Sequence, residues 1–311
     1  MRGFALIAAL ALAACAPAPD EAGPSPARLV DIEAMEGRGL QPRNITIWLP
    51  PGYDESGERY PVLYMHDGQN LFRPGFAYGG EEWGVDEAME RLIAAGEVRP
   101  AVVVGVWNTS DRYLEYGPSG PIRSLRPDAR EQLIEAYGGE PVSDAYLRFL
   151  VEELKPRIDA EYRTLPGRAD TAVMGSSMGG LISLYAAGEH PDVFGAAAGL
   201  STHWPAGPGG GGLIRQDAWM PLVVVAYTQY FRTSGLDPSS QRIWTDHGDQ
   251  TLDALYPPYH DAIMPAFESL GFERGVNFEA RSYPGTAHNE AAWRARVEEP
   301  LVFLLGAPES E

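Results

Sequence analysis

The sequence predicts an α/β fold with a mostly parallel sheet covered by helices on both faces, and three features predict it. Short apolar runs alternate with segments of helical spacing along the chain, the pattern of strand–helix–strand units. The run Ala101-Val102-Val103-Val104-Gly105-Val106 is apolar throughout, as a strand buried on both faces must be. The run Thr171-Ala172-Val173-Met174 enters a glycine turn and leaves it as Leu181-Ile182-Ser183-Leu184, a strand that turns sharply into a helix.

Taken in order, residues 27–50 alternate apolar and polar positions, most clearly in Asn44-Ile45-Thr46-Ile47-Trp48-Leu49, as half-buried antiparallel strands do. Pro50-Pro51-Gly52-Tyr53 turns the chain. Pro61-Val62-Leu63-Tyr64-Met65-His66 is a buried strand that ends at Asp67-Gly68-Gln69-Asn70. Residues 83–96 have helical spacing through Val85, Met89, Leu92 and Ile93. A helix spans about 144–162, with Tyr146, Phe149, Leu150 and Leu154 on one stripe. After the glycine turn come the run 193–200, strands at 241–246 and 276–283, and a helix between them near 259–270. One final helix is expected over 290–305. The stretches 108–140 and 201–220, the latter holding four consecutive glycines, read as long loops able to bind a substrate.

The first residues are an address rather than a fold. Arg2 precedes an apolar stretch from Phe4 to Ala14, and Leu12-Ala13-Ala14-Cys15 closes it. A small-residue stretch ending at cysteine resembles a bacterial lipobox, so Cys15 is expected to be lipidated and to become the mature N-terminus. The stretch is too short for a stable transmembrane helix. Cys15 is the only cysteine of the 311 residues, which excludes an intrachain disulfide and a catalytic thiol in the folded domain. Residues 16–27 form a Pro/Ala-rich tether, leaving about 280 residues (28–311) for one α/β domain. The formal charge of −19 argues against nucleic acid as a partner and against electrostatic adhesion to anionic lipid. Membrane contact is therefore expected through the lipid anchor alone.

Ser177 sits at the apex of the turn, in Gly175-Ser176-Ser177-Met178-Gly179. A serine hydroxyl becomes a useful nucleophile when it is exposed, rigidly held and placed beside a base. The flanking glycines allow the sharp turn, and the helix that follows directs its first N–H groups at a developing oxyanion. In this architecture the order is serine, acid, histidine. Of six histidines, His288 lies in the loop after the last strand and before the terminal helix, where it can return to the serine from the sheet edge. The others read differently: His190 as a helix end, His260 as a helix-surface residue, His66 and His203 as pocket linings. The acid belongs in 246–253, where Asp246 is still in the strand and Asp249 and Asp253 both lie beyond Gly248. The metal-binding patterns His-Glu-x-x-His, Cys/His cluster and EF-hand are missing, so neither metal nor cofactor is expected.

Several blocks in order carry a resemblance: Tyr64-Met65-His66-Asp67-Gly68-Gln69-Asn70-Leu71-Phe72, Gly175-Ser176-Ser177-Met178-Gly179-Gly180, Leu200-Ser201-Thr202-His203-Trp204, Asp246-His247-Gly248, Leu252-Asp253 and His288-Asn289-Glu290. Spread over roughly residues 40–305, they resemble the esterase D-like family of α/β-hydrolases, and most closely its branch of siderophore (trilactone) esterases. The resemblance implies an α/β-hydrolase fold and a serine ester hydrolase with Ser177 as nucleophile, His288 as base and Asp253 as acid. It further implies an oxyanion hole from the N–H groups of Met178 and the Asp67–Gly68 turn; on the residues themselves, His66, His203 and Trp204 are the expected substrate-pocket side chains. The implied substrate is a carboxylic ester, such as a siderophore trilactone or an acylated carbohydrate. An acyltransferase and a non-catalytic ligand-binding lipoprotein are the alternatives. Arg112, Arg123 and Arg126 are candidates to grip an anionic substrate.

Overall fold

A computed structural model describes residues 25–209 and 212–306. Cys15, the apolar leader and residues 16–24 of the tether lie outside the described residues. The last tether residues are tied down: Ser25 Oγ donates to Glu55 at 2.7 Å, and its carbonyl accepts from Gly52 N–H.

Eight strands form one sheet: β1 (Arg28–Gly37), β2 (Leu40–Leu49), β3 (Val62–His66), β4 (Val102–Val106), β5 (Thr171–Ser176), β6 (Ala196–Leu200), β7 (Arg242–His247) and β8 (Phe278–Ser282). Their spatial order is β1-β2-β4-β3-β5-β6-β7-β8. The first two strands form an antiparallel hairpin, and β2 joins β4 antiparallel; every later pairing is parallel. The parallel strands β3 to β6 are buried at every position, which is why their sequences run apolar without alternation.

The helices are α1 (Val85–Ala95), α2 (Arg112–Tyr116), α3 (Ser119–Ser124), α4 (Pro127–Tyr137), α5 (Ser143–Arg148), α6 (Lys155–Glu161), α7 (Met178–Glu189), α8 (Trp219–Thr233), α9 (Tyr256–Leu270), α10 (Glu290–Arg294) and α11 (Glu298–Leu305). They bury two apolar layers. On one face Leu181, Ile182, Phe231, Ile263 and Phe267 join Val104 and Val173. On the other, Trp83, Met89, Trp293 and Leu301 pack on Leu63, Val103 and Met174. A widened π turn, Phe149–Leu154, joins α5 to α6. Pro156 stands two residues beyond it; its ring lacks an N–H and crowds the preceding turn, which a π turn relieves.

The fold differs from the sequence expectation in three places. The stretch 108–140 is not a loop but carries α2, α3 and α4, short helices hidden in the sequence by Gly117, Pro118, Gly120, Pro121 and Pro127. Pro127 stands in the first turn of α4, where a missing N–H costs nothing. The helix α8 was not expected, because Leu222-Val223-Val224-Val225 has strand-like composition; burial at Val223, Ala226, Tyr227 and Phe231 shows the helical period that packing imposes. The expected helix over 290–305 breaks at Ala295–Val297, where Arg296 turns inward to Asp246.

Candidate active site

Ser177 follows β5 directly and precedes the first residue of α7, with φ 56° and ψ −124°. Such a conformation costs a non-glycine residue about 1–3 kcal/mol and survives only where its surroundings dictate it. Here they do: Ser177 N–H donates to Leu200 C=O at 2.9 Å, while its own carbonyl accepts from Leu181 N–H at 3.0 Å and His203 N–H at 3.1 Å. The flanking glycines are steric necessities. A Cβ on Gly175 would lie 2.7 Å from the Gly179 backbone, and one on Gly180 would lie 2.8 Å from Gly199 Cα.

His288 and Asp253 complete a chain of hydrogen bonds. His288 Nε2 is 3.0 Å from Ser177 Oγ, and His288 Nδ1 is 2.5 Å from Asp253 Oδ1. Asp253 is fully buried. Burial opposes its ionisation, but hydrogen bonds from His288, Ser201 Oγ (2.6 Å) and Gly248 N–H (2.7 Å) outweigh that and hold its carboxyl below the usual carboxylate range. An ionised Asp253 only accepts, so His288 Nδ1 carries the proton and Nε2 offers its lone pair to the Ser177 hydroxyl. The imidazole is fixed edge-on between Tyr256 (5.6 Å between ring centres) and Trp293 (5.0 Å). Asp249, the competing acid, points elsewhere: its Oδ1 accepts from Gly285 N–H at 2.7 Å. Asp246 is committed to Ser201 N–H, Trp244 Nε1 and Arg296.

The serine opens into a cavity of about 440 Å³ lined by residues from α2, α7, α10 and the loops after β3, β4, β6, β7 and β8. Asp67 stands at its wall with left-handed φ 56° and is gripped by Arg112 through bonds of 2.8 and 2.7 Å and by Asn108 at 2.5 Å. Burial opposes its charge, yet Arg112 and Asn108 keep its carboxyl low, and Asp67 in turn raises Arg112. Gly68 is pressed against β4, where a Cβ would meet Gly105 C at 2.3 Å, so its neighbours Asp67 and Gln69 present the turn to the cavity. Met178, on the other side, opens α7, whose first N–H groups have no acceptor within the helix.

Of the expected pocket residues, His203 does line the cavity. Its Nε2–H donates to Gly207 C=O at 2.6 Å and Nδ1 accepts from Tyr256 O–H at 2.5 Å, and burial lowers its pKa to about 3. The other two are corrected. Trp204 is wholly buried in an aromatic cluster with Tyr227 and Phe231 under α8. His66 lies behind the wall, bonded through Nδ1 to Tyr146 O–H at 2.7 Å. His260 is not a surface residue either; it is buried against His247 at 4.7 Å. Arg123 and Arg126 pair with Asp144 and Asp128 away from the cavity, leaving Arg112 as the cation at the site. Sequence reasoning missed Tyr256, Trp293, Ser201 and Arg296; only Ser201 stood in a quoted block. Among the described residues no group of three or more His, Cys, Asp or Glu side chains is placed to hold a metal ion.

With this geometry in hand, comparison with known proteins becomes specific. The family model described as Putative esterase matches residues 39–304. The chain belongs to this esterase family. A ferri-bacillibactin esterase of Bacillus subtilis, BesA, is 30% identical over 155 residues, which is 47% of this chain and 49% of that one. An endo-1,4-beta-xylanase/feruloyl esterase of Xylanibacter ruminicola is 24% identical over 264 residues, 83% of this chain and 29% of the relative. The chain thus spans about half or less of these curated relatives' lengths. A solved ferulic acid esterase superposes with a TM-score of 0.62 at 20% identity, covering 90% of this chain and 98% of that one, a likeness of fold. Esterase-family membership and the mostly parallel, helix-covered sheet agree with the α/β-hydrolase expectation.

Proposed function

We propose that this protein is a serine hydrolase of carboxylic esters that works through an acyl-enzyme. One observation carries the reading: Ser177 Oγ, His288 and a buried, ionised Asp253 stand in unbroken hydrogen-bond sequence at the floor of a cavity. Ser177 Oγ attacks the acyl carbon while His288 Nε2 takes its proton. Asp253 orients the imidazole and stabilises the imidazolium as it forms. The tetrahedral oxyanion is held by Met178 N–H and by Gly68 N–H of the facing turn. The imidazolium then protonates the departing alcohol. Water, deprotonated by the same nitrogen, attacks the acyl-enzyme and releases the acid. Tyr256, whose hydroxyl bonds His203, packs edge-on against the base from behind.

The substrate class is a carboxylic ester of a small molecule or carbohydrate, such as a siderophore trilactone or an acylated carbohydrate; the ferri-bacillibactin esterase and feruloyl esterase among its relatives support these two choices. The test is hydrolysis of p-nitrophenyl acetate by purified wild type and Ser177→Ala, with product analysis in the presence of an alcohol to separate hydrolysis from acyl transfer. The reading expects loss of turnover in the variant; turnover at the wild-type rate would defeat it.

We further infer a lipid anchor at Cys15 that holds the acidic domain off the bacterial outer membrane, facing the periplasm. Multiple acyl chains, unlike one, anchor a protein stably. Cys15→Ser should turn a membrane-pelleting protein into an unprocessed or soluble one; a wild type recovered without detergent in the soluble periplasmic fraction contradicts the anchor.

A further inference from the structure

Glu290 opens α10 two residues after His288, and its side chain faces the same cavity as Ser177 although the residue is only 9% exposed. Among the described residues no other side chain supplies its carboxylate with a hydrogen bond; burial and the nearby charges of Asp67 and Glu81 act against its ionisation, and its own backbone N–H and Arg112 act in its favour. The arginines that could neutralise it are engaged elsewhere. Arg294, one turn along α10, pairs with Glu82 and Glu87, and Arg296 pairs with Asp246. Arg112, the one cation lining the cavity, spends two donors on Asp67.

Asp67 and Arg112 therefore cancel, and Glu290 leaves the lining with one net negative charge. The rest of the polar lining is uncharged: the amides of Gln69, Asn70 and Asn108 and the hydroxyls of Tyr78 and Tyr113, beside Ser177 and its neutral base. Amides suit hydroxyl and carbonyl groups, whereas an anionic group brought against Glu290 meets Coulombic repulsion.

Resting on the ester-hydrolase reading above, we propose that Glu290 sets the charge preference of this site. Its carboxylate disfavours esters with an anionic group near the reacting carbonyl and admits uncharged, hydroxyl-bearing or cationic ones. A multiply anionic ferric catecholate is a poor fit on this account, and a neutral polyol ester a good one.

The experiment compares p-nitrophenyl butyrate, the p-nitrophenyl half-ester of glutarate and p-nitrophenyl 4-(trimethylammonio)butyrate with wild type, Glu290→Gln and Glu290→Lys. The readout is the ratio of kcat/KM between esters within each protein, so any general loss of activity or folded fraction cancels. Wild type should turn over the anionic ester roughly tenfold or more below the neutral one at low salt, and added salt should shrink that gap. Glu290→Gln should remove most of the gap and Glu290→Lys reverse it. Equal ratios in wild type and Glu290→Gln, or a wild-type ratio near one that salt does not move, overturn the proposal. The salt series alone senses the whole acidic field, so the near-isosteric Glu290→Gln carries the assignment to this residue, and it still does so if Glu290→Lys fails to fold. Cleavage of none of the three esters, or cleavage that survives Ser177→Ala, fails the hydrolase reading itself and takes this inference with it.

Discussion

Ser201 holds Asp253 in place: its hydroxyl donates to Asp253 Oδ2 at 2.6 Å while accepting from Trp293 Nε1 and Arg296 Nη2, each at 2.9 Å. One small side chain thus ties the acid to the helix pair behind the histidine. Its φ of 42° shows that the turn after β6 is strained to put it there. Ser201→Ala removes the bond to Asp253 and orphans two buried donors. The expected result is a stability loss of about 1–3 kcal/mol, read by urea unfolding, with a fall in kcat rather than a rise in KM. Unchanged kcat would mean that Asp253 needs no such support.

The assignment of the acid is tested by two neighbouring asparagine substitutions. Asp253→Asn should lower kcat/KM by roughly 10²–10⁴, because the amide can no longer stabilise the imidazolium or fix the tautomer. Asp249→Asn, at a carboxylate that serves only Gln250 and Gly285, should change it by no more than about twofold. The reverse ranking would transfer the role to Asp249.

Much of the site could be read from the sequence because turn chemistry is local. A glycine-bracketed serine between a buried strand and a helix fixes Ser177, and the position of His288 after the last strand follows from chain order. The choice between Asp249 and Asp253 could not be read from spacing, since both follow Gly248 and only the fold of 249–253 decides which one turns inward. Trp204 and His66 were misplaced for a related reason: a polar-aromatic residue beside a catalytic block can face the cavity or its back wall, and sequence does not say which. Tyr256 and Trp293, which grip the imidazole, lie in ordinary helical patterns without a distinguishing neighbour. The helices α2–α4 and α8 escaped because tertiary packing overrode local composition.

Stability should fall on mild acidification. Burial lowers the pKa of His66, His203 and His260 to about 3 from an ordinary 6.5. The unfolded chain therefore binds protons that the folded chain refuses, and the stability these neutral imidazoles contribute is present above about pH 6.5 and lost as pH falls toward 3. Each adds a slope of up to about 1.4 kcal/mol per pH unit. Asp67 and Asp253, held low, lose their contribution at more acid pH, while Glu290 and Asp86, raised by burial, offset part of the loss. Urea unfolding at pH 7 and pH 5 should show lower stability at pH 5, with a smaller drop in His260→Gln. Equal stability at both pH values would contradict the burial of neutral histidines.

The central claim is that Ser177 is an activated nucleophile, and the most direct measurement is intact and peptide mass spectrometry after treatment with a fluorophosphonate. The account predicts one adduct per chain, on the peptide containing Ser177, absent from Ser177→Ala and formed far more slowly in His288→Ala. An unmodified wild type, or an adduct that persists in Ser177→Ala, would contradict it.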